Sequence, residues 1–208
     1  MDENVLAPET RGALEQLAAL TSRRHFYLAG GTGCALQLGH RTSRDLDFFS
    51  PEAFEPLDIQ RELRRLGEAS PDYTDAGTWV GNFGTTKMSF IAYAYPLLRP
   101  ARPYQGIAVA SLEDIGCMKV EAIAARGRKR DFIDLFFILS RAAMDLKTLL
   151  DLFRQKYGRD RINLFHILKS LTYFVDAEAD PDPLMLTELS WPDLKAFLAE
   201  QVRNIVPL

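Results

Sequence analysis

The chain has 208 residues, of which 47% are hydrophobic and 25% charged, with 13 glycines and 11 prolines. This composition is typical of a packed globular domain and excludes a disordered, collagen-like or coiled-coil chain. With 25 Lys and Arg residues against 28 Asp and Glu residues, the formal net charge is −3, which excludes a protein that coats nucleic acid through a global positive field.

Cysteine content and the first residues indicate where the protein works. Cys34 and Cys117 are too few for a disulfide scaffold and lack the CxxC spacing of a zinc site, so a reducing cytoplasm is predicted. The start Met1-Asp2-Glu3-Asn4 has no basic segment followed by an apolar one, and no apolar run reaches 18 residues. We therefore expect neither secretion nor a membrane partner.

The first half of the chain alternates between predicted helices and strands. Apolar periodicity and Gly/Pro punctuation predict helices over 11–22, Thr32–Leu38 and Ile59–Leu66, and strands over His25–Ala29, Asp45–Phe49, Thr78–Phe83, Lys87–Tyr95 and Ile107–Ala110. This alternation favours an α/β or α+β domain over residues 1–110.

After residue 110 the pattern is helical, and a separate helical domain is predicted over 111–208. Ser111 is interpreted as the cap of the first helix. The predicted helices are Leu112–Arg126, Asp131–Arg141, Leu146–Tyr157, Ile162–Phe174 and a last one that begins at Ser190 and continues through Ile205. The acidic, proline-punctuated stretch Asp176–Pro183 is predicted to be a surface loop.

Two glycines and a pair of acidic residues form the main candidate site for chemistry in this sequence. Gly30 and Gly31 follow a predicted strand and open a helix, where backbone N–H groups and the positive helix end can approach a phosphate. Asp45 and Asp47 lie in the next predicted strand, and alternation places both side chains on one face. Two adjacent carboxylates repel each other unless a cation lies between them, and Mg²⁺ prefers carboxylates, water and phosphate oxygens. The layout predicts metal-assisted phosphoryl or nucleotidyl transfer from an NTP.

Other interpretations of the glycines fit less well. Two glycines alone are typical of an ordinary strand-to-helix turn, and only their combination with the acid pair favours a nucleotide site. The sequence has neither the Gly-Lys-Ser/Thr of a P-loop nor the third small residue of a dinucleotide fingerprint.

A family resemblance is carried by these residues. A hydrophobic residue, Gly-Gly, and then Gly-His-Arg-Thr-Ser-Arg-Asp-Leu-Asp-Phe (39–48) resemble the nucleotidyltransferase motif of the DNA polymerase β superfamily, in its AbiEii/AbiGii branch of bacterial abortive-infection and toxin–antitoxin proteins. The resemblance extends through Lys87–Phe90, Tyr95–Leu98, Ser111–Ile115, Lys119 and 129–135. It implies an α+β nucleotidyltransferase fold with a mixed β-sheet, flanking helices and a C-terminal helical domain.

The resemblance also implies an activity and its participants. These are an Mg²⁺-dependent transferase that uses an NTP, an RNA acceptor with tRNA ends foremost, and a cognate antitoxin protein. The catalytic set is then Asp45, Asp47 and Lys119, with Mg²⁺ on the two acids. One position departs from the superfamily: Ser89 stands where a third carboxylate is expected, so either two carboxylates suffice, or an acid on a helix substitutes, or catalysis is weak.

A second group of charged residues follows on the first two C-terminal helices. Helical spacing puts Lys119 and Arg126 on one side of their helix, where the lysine could meet a triphosphate and the arginine fork onto phosphate oxygens. Asp134 lies in an apolar run and needs a partner such as Lys119 or Arg126. Four cations within 126–130 form a candidate site for a nucleic-acid backbone. The alternative interpretation is a solvated basic turn.

The predicted nucleotide-binding residues are Gly30, Gly31, Thr32, Arg44, Arg126 and Asp134. Arg41 and Arg44 flank the acid strand, and we expect one of them to contact phosphate or acceptor. Two other functions stay open at this point: a nucleotidyltransferase that modifies a small hydroxylated molecule, and a nucleotide- or partner-binding module without catalysis.

Overall fold

The structure is a computed structural model that describes residues 1–142, 144–158 and 163–205. A 3₁₀ turn at Glu3–Val5 precedes helices α1 (Pro8–Arg23), α2 (Gly30–Leu38), α3 (Pro56–Leu66), α4 (Leu112–Ala125), α5 (Lys129–Arg141), α6 (Leu146–Tyr157), α7 (Leu164–Ser170), α8 (Val175–Glu178) and α9 (Trp191–Arg203). The strands are β1 (Tyr27–Leu28), β2 (Leu46–Ser50), β3 (Ala69–Asp75), β4 (Thr78–Phe83), β5 (Thr86–Ala92), β6 (Arg102–Tyr104) and β7 (Ile107–Val109).

The strands form one mixed sheet in the order β3-β4-β5-β2-β1-β7-β6. Strand β2 runs parallel to β5 and β1 parallel to β7, whereas the other neighbours are antiparallel. A mixed sheet with flanking helices confirms the predicted α+β architecture.

The two faces of the sheet are covered differently. On one face, Phe48, Trp79 and Phe90 are fully buried under α1 and α3. On the other face, Tyr27 and Phe49 pack against the cluster formed by α2 and the C-terminal helices. Because strand residues alternate between faces, Asp47 lies on the same face as Phe49, toward the C-terminal helices.

The proposed division at residue 110 stays a prediction. Helix α2, from the first half, contacts α4 and α5, and Cys34 of α2 belongs to the same apolar cluster as Ile115 and Phe132 of those helices. Residues on both sides of position 110 therefore share one core.

Two edge strands were not predicted from the sequence. The strand β3 is exposed along nearly its whole length, and β6 has three residues with Pro103 in the middle. Edge strands of this kind lack the alternation that identifies a half-buried strand.

The predicted loop Asp176–Pro183 is partly wrong, since its start forms α8. The predicted helix start at Ile162 lies outside the described residues. Within the described part of the chain, none of the helices combines the length and apolar character needed to cross a bilayer.

Candidate active site

The glycine turn between β1 and α2 forms the floor of the site. Gly30 has a φ of +60°, which L-residues rarely adopt, and a Cβ there would lie 2.5 Å from Oδ2 of Asp47. Only glycine therefore lets the chain turn into the helix so close to that carboxylate. The first intrahelical bond runs from the Gly33 amide to the Ala29 carbonyl, so the amides before Gly33 have no partner within the helix. They remain as donors at the positive end of α2.

Strand β2 presents the acid pair to this turn. Its residues alternate between buried and half-buried, so that Leu46 and Phe48 enter the core while Asp47 faces the helical side. Asp45 directly precedes the strand, and its carboxylate lies 3.4 Å from a guanidinium nitrogen of Arg130 on α5. Both acids thus point toward the helices, at the end of the sheet that bears the glycine turn.

Ser89 occupies the position beside Asp47 on the neighbouring strand. The register of β2 and β5 pairs the two residues, and the Ser89 hydroxyl donates a hydrogen bond of 2.8 Å to Oδ1 of Asp47. The hydroxyl holds this carboxylate in place and leaves Oδ2 toward Gly30. The structure therefore has a hydroxyl at the position where the resemblance implies a third acid.

The acid pair fits a hard divalent cation such as Mg²⁺. Two carboxylates with oxygens not taken up by the protein are the kind and number of ligands that Mg²⁺ accepts when phosphate and water complete its shell. The Asp45 side chain is 42% exposed, so water and phosphate can reach it. Arg130 supplies the positive charge near Asp45 in this structure.

Replacing Ser89 with aspartate is expected to make stability depend on a divalent cation. The new carboxylate would lie beside Asp47 and repel it unless a cation neutralised both. We expect the Tm of this variant to fall without metal and to rise more on addition of Mg²⁺ than that of the wild type. Thermal unfolding with and without Mg²⁺ measures this. The neutral variant Ser89→Asn is the control, and an equal response of the two variants would contradict the prediction.

The hydroxyl of Thr32 is used within the protein. It lies 2.7 Å from the Ser43 hydroxyl and also contacts the backbone carbonyl of Asp45, and the residue is buried. These contacts tie the first turn of α2 to the chain that leads into β2. What Thr32 can offer a nucleotide is consequently its backbone amide.

A buried ion network connects the glycine turn with α4 and α5. Asp134, fully buried, accepts hydrogen bonds from Arg41 Nε (2.7 Å), Arg41 Nη2 (2.8 Å) and His40 Nε2 (2.8 Å). Lys119 Nζ lies 2.7 Å from Oδ2 of Asp134 and 2.7 Å from Oδ1 of Asp131. The predicted pairing of Asp134 with Lys119 is thus present, and Arg41 and His40 also donate hydrogen bonds to Asp134.

The protonation states of this network follow from its charges. Burial alone would raise the pKa of Asp134, but the charges of Lys119 and Arg41 outweigh it and hold the pKa well below its usual range. Burial likewise opposes the charged form of Lys119, but Asp134 and Asp131 raise its pKa. Burial lowers the pKa of His40, so its imidazole is neutral at neutral pH. The network therefore joins the cations Lys119 and Arg41 to the ionised carboxylate of Asp134, beside a neutral histidine.

The same network contains a triad that resembles a metal site. Ligand atoms of Cys34, His40 and Asp134 all lie within 4.8 Å of one another. However, both oxygens of Asp134 already accept hydrogen bonds from cationic side chains, and burial raises the pKa of the Cys34 thiol well above its ordinary value. A neutral thiol beside two fixed cations does not fit a metal ion.

The structure distinguishes between the two arginines that flank the acid strand. Arg41 is buried and its guanidinium is committed to Asp134. Arg44 is exposed, and within the described residues its guanidinium has no hydrogen-bond or ionic partner. Arg126 is also accessible: its side chain is 57% exposed and its Nε lies 3.5 Å from Oδ2 of Asp131. Among the predicted nucleotide-binding residues, Arg44 and Arg126 therefore have charged side chains that are exposed to a ligand.

Removing the charge of Arg44 is expected to weaken NTP binding. A charge-assisted contact to a phosphate is typically worth ~1.4 kcal/mol, or about tenfold in affinity. We expect Arg44→Ala to raise the Kd of the NTP by about that factor in calorimetric titrations. Arg64→Ala on α3, which removes an equally exposed arginine behind the opposite face of the sheet, should leave the Kd unchanged. Equal effects of the two substitutions would exclude a specific role for Arg44.

Comparisons with known proteins agree with this geometry. The model of the family described as "Nucleotidyl transferase AbiEii toxin, Type IV TA system" matches residues 12–82 and 80–206. A protein of Aquifex aeolicus (strain VF5), described as uncharacterized, is 38% identical over 203 residues, which cover 96% of this chain and 97% of that protein.

Solved structures show the same fold at low sequence identity. JHP933 from Helicobacter pylori superposes with a TM-score of 0.62 at 15% identity, over 99% of this chain and 93% of that one. MenT4, a nucleotidyltransferase toxin from Mycobacterium tuberculosis H37Rv, gives a TM-score of 0.57 at 16% identity, over 96% and 84% of the two chains.

Proposed function

The chain belongs to the AbiEii nucleotidyltransferase toxin family, and on that premise we propose that it transfers a nucleotide from an NTP to an RNA acceptor, with Mg²⁺ held by Asp45 and Asp47. The observation that supports this most is the approach of the Asp47 carboxylate to the Gly30 turn. A metal ligand and a row of free amides at a helix start meet there, as a metal-bound triphosphate requires.

The residues of the chain divide the work of the reaction. The amides of Gly30, Gly31 and Thr32 donate hydrogen bonds to phosphate oxygens, and the exposed side chains of Arg44 and Arg126 add positive charge. Bound Mg²⁺ supplies neutralisation of the triphosphate and a lower pKa for the attacking hydroxyl. The acceptor hydroxyl oxygen forms a bond to the α-phosphorus while the bond from that phosphorus to the oxygen bridging to the β-phosphate breaks. Pyrophosphate leaves with the bridging oxygen, and the hydroxyl proton passes to solvent water.

Lys119 and Asp134 have linked parts in this proposal. An ammonium has three N–H donors, of which the two carboxylates of the network account for two. The Lys119 side chain is 7% exposed, and in this proposal its third N–H donates to a phosphate oxygen. Asp134, which is completely buried, contributes indirectly by holding Lys119 and Arg41 in position.

We further propose RNA, including tRNA ends, as the acceptor, an antitoxin protein as the partner and the cytoplasm as the place of action. The description of the matching family as part of a toxin–antitoxin system supports the partner. The exposed cations Arg44 and Arg130 support an acceptor with a phosphate backbone, because Arg44 directly precedes Asp45 and Arg130 lies 3.4 Å from the Asp45 carboxylate.

Incubation of the purified protein with each α-labelled NTP, Mg²⁺ and total tRNA tests the proposal. The expected result is label on RNA together with release of pyrophosphate. If the label appears on a small hydroxylated molecule and not on RNA, that class of molecule replaces RNA as the proposed acceptor. Absence of NTP binding in calorimetry with Mg²⁺ present would overturn the transferase mechanism as a whole.

A further inference from the structure

The cations of 126–130, here called the basic loop, are already paired with carboxylates of the chain. Asp180 accepts from Arg128 Nη1 at 2.7 Å and from the Lys129 amide at 3.0 Å, and Asp182 accepts from Lys129 Nζ at 2.8 Å. The acidic partners come from residues 176–187, here called the acidic strap. The expectation of a free basic surface is therefore incomplete, since the strap neutralises part of it.

The strap also lies along the segment that leads into the acid strand. Its Leu184 carbonyl accepts from the Thr42 amide at 2.9 Å, and its Leu186 amide donates to the His40 carbonyl at 2.9 Å. At the other end of the basic loop, Arg130 reaches Asp45. The basic loop thus extends from the strap to one of the proposed metal ligands.

The ion pairs between strap and loop are open to exchange. One member of each pair is exposed, Arg128 at 59% and Asp182 at 81%, whereas their partners Asp180 and Lys129 are 17% and 10% exposed. Because water and ions reach one member of each pair, salt screens these pairs more than it screens the fully buried contacts of Asp134. A phosphate oxygen accepts the same N–H donors as a carboxylate oxygen does, and it carries the same charge.

We propose that the acidic strap occupies, in the free protein, the surface on which the backbone of the acceptor RNA lies, and that RNA phosphates displace Asp180 and Asp182 from Arg128 and Lys129. The inference rests on the proposed function for the identity of the acceptor. The strap then acts as an internal competitor that weakens RNA binding. Moving the Asp180 and Asp182 side chains breaks none of the hydrogen bonds that Asp134 accepts in the buried network.

Binding of a labelled single-stranded RNA, followed by fluorescence anisotropy without NTP or metal, tests the competition. The double variant Asp180→Asn with Asp182→Asn should bind about tenfold more tightly at low salt, and the gain should shrink as salt is raised. The control is Asp176→Asn with Glu188→Gln, which removes two exposed acids of the same region that have no ionic partner among the described residues. It changes the net charge equally and should bind like the wild type.

Three results would overturn the proposal. An equal increase in RNA affinity in the control variant would show a general charge effect. If the variant Asp180→Asn with Asp182→Asn (the strap variant) has an intact circular dichroism spectrum but no higher RNA affinity than the wild type, the strap only stabilises the fold. Polyglutamate is titrated in parallel with RNA. If the strap variant binds polyglutamate more tightly than the wild type does, but binds RNA no more tightly, the surface is assigned to an acidic protein. The RNA-binding assay needs no catalysis, so it tests only whether the strap competes with RNA. Whether the protein is a transferase is tested separately by the labelled-NTP assay.

Discussion

Replacing Asp47 with asparagine is expected to reduce nucleotide transfer by about 10³-fold, the upper range for removal of one preorganised charge-stabilising group. The side chain lies at the point where the Gly30 turn and the Ser89 hydroxyl meet. Asparagine keeps an oxygen that can accept from Ser89, so the local structure is retained. It lacks the negative charge that a divalent cation requires, so the loss should appear in the rate of transfer.

A matched control is available on the same sheet. Asp72 on the edge strand β3 is exposed and accepts a long hydrogen bond from Asn82. Asp72→Asn removes one carboxylate far from the glycine turn and should retain full activity. Incorporation of labelled nucleotide into RNA compares the two variants, with circular dichroism as the check on folding. Retention of activity in Asp47→Asn would remove this residue from the mechanism.

Replacing Asp134 with asparagine is expected to lower the free energy of unfolding by ~3–5 kcal/mol, the usual cost of breaking a buried ion pair by removing one partner. Arg41 and Lys119 would remain buried without that carboxylate, and the bidentate contact of Arg41 would be lost. Urea unfolding at pH 7 measures the change. Asp58→Asn, which breaks the exposed pair with Arg61, should cost less than about 1 kcal/mol.

The pH dependence of this difference provides a second check. The pKa of Asp134 is depressed in the folded protein, so its contribution is present above the unfolded pKa of about 3.9 and is lost as the pH falls below it. The gap in stability between wild type and Asp134→Asn should therefore be full at pH 7 and narrow toward pH 3. A gap below about 1 kcal/mol at pH 7 would contradict the network described above.

The sequence predicts those parts of the site that depend on local pattern. Gly30 and Gly31 interrupt an apolar segment, and the alternation of Asp45, Leu46, Asp47 and Phe48 places acids and apolar side chains on opposite faces. The mixed sheet and the C-terminal helices follow from periodicity and from the family resemblance. The family resemblance identified Ser89 as the position of a third carboxylate, and the register of β2 and β5 then showed that it lies beside Asp47.

Contacts between distant segments could not be predicted in the same way. Arg41 and His40 are 93 and 94 residues from Asp134 in sequence, and no local pattern joins them. The pairing of the basic loop with the acidic strap has the same origin, since Arg128 and Asp180 are 52 residues apart. Such pairs are fixed by how α5 and the strap pack, and opposite charges in the sequence show only that pairing is possible.

Binding of Mn²⁺ in the presence of an NTP tests the central claim most directly. Mn²⁺ takes the same oxygen ligands as Mg²⁺ and is detected by electron paramagnetic resonance, independently of any acceptor. The account predicts a saturable site in the wild type that is lost in both Asp45→Asn and Asp47→Asn and retained in Asp72→Asn. Unchanged Mn²⁺ binding in the first two variants would show that these acids do not hold the metal.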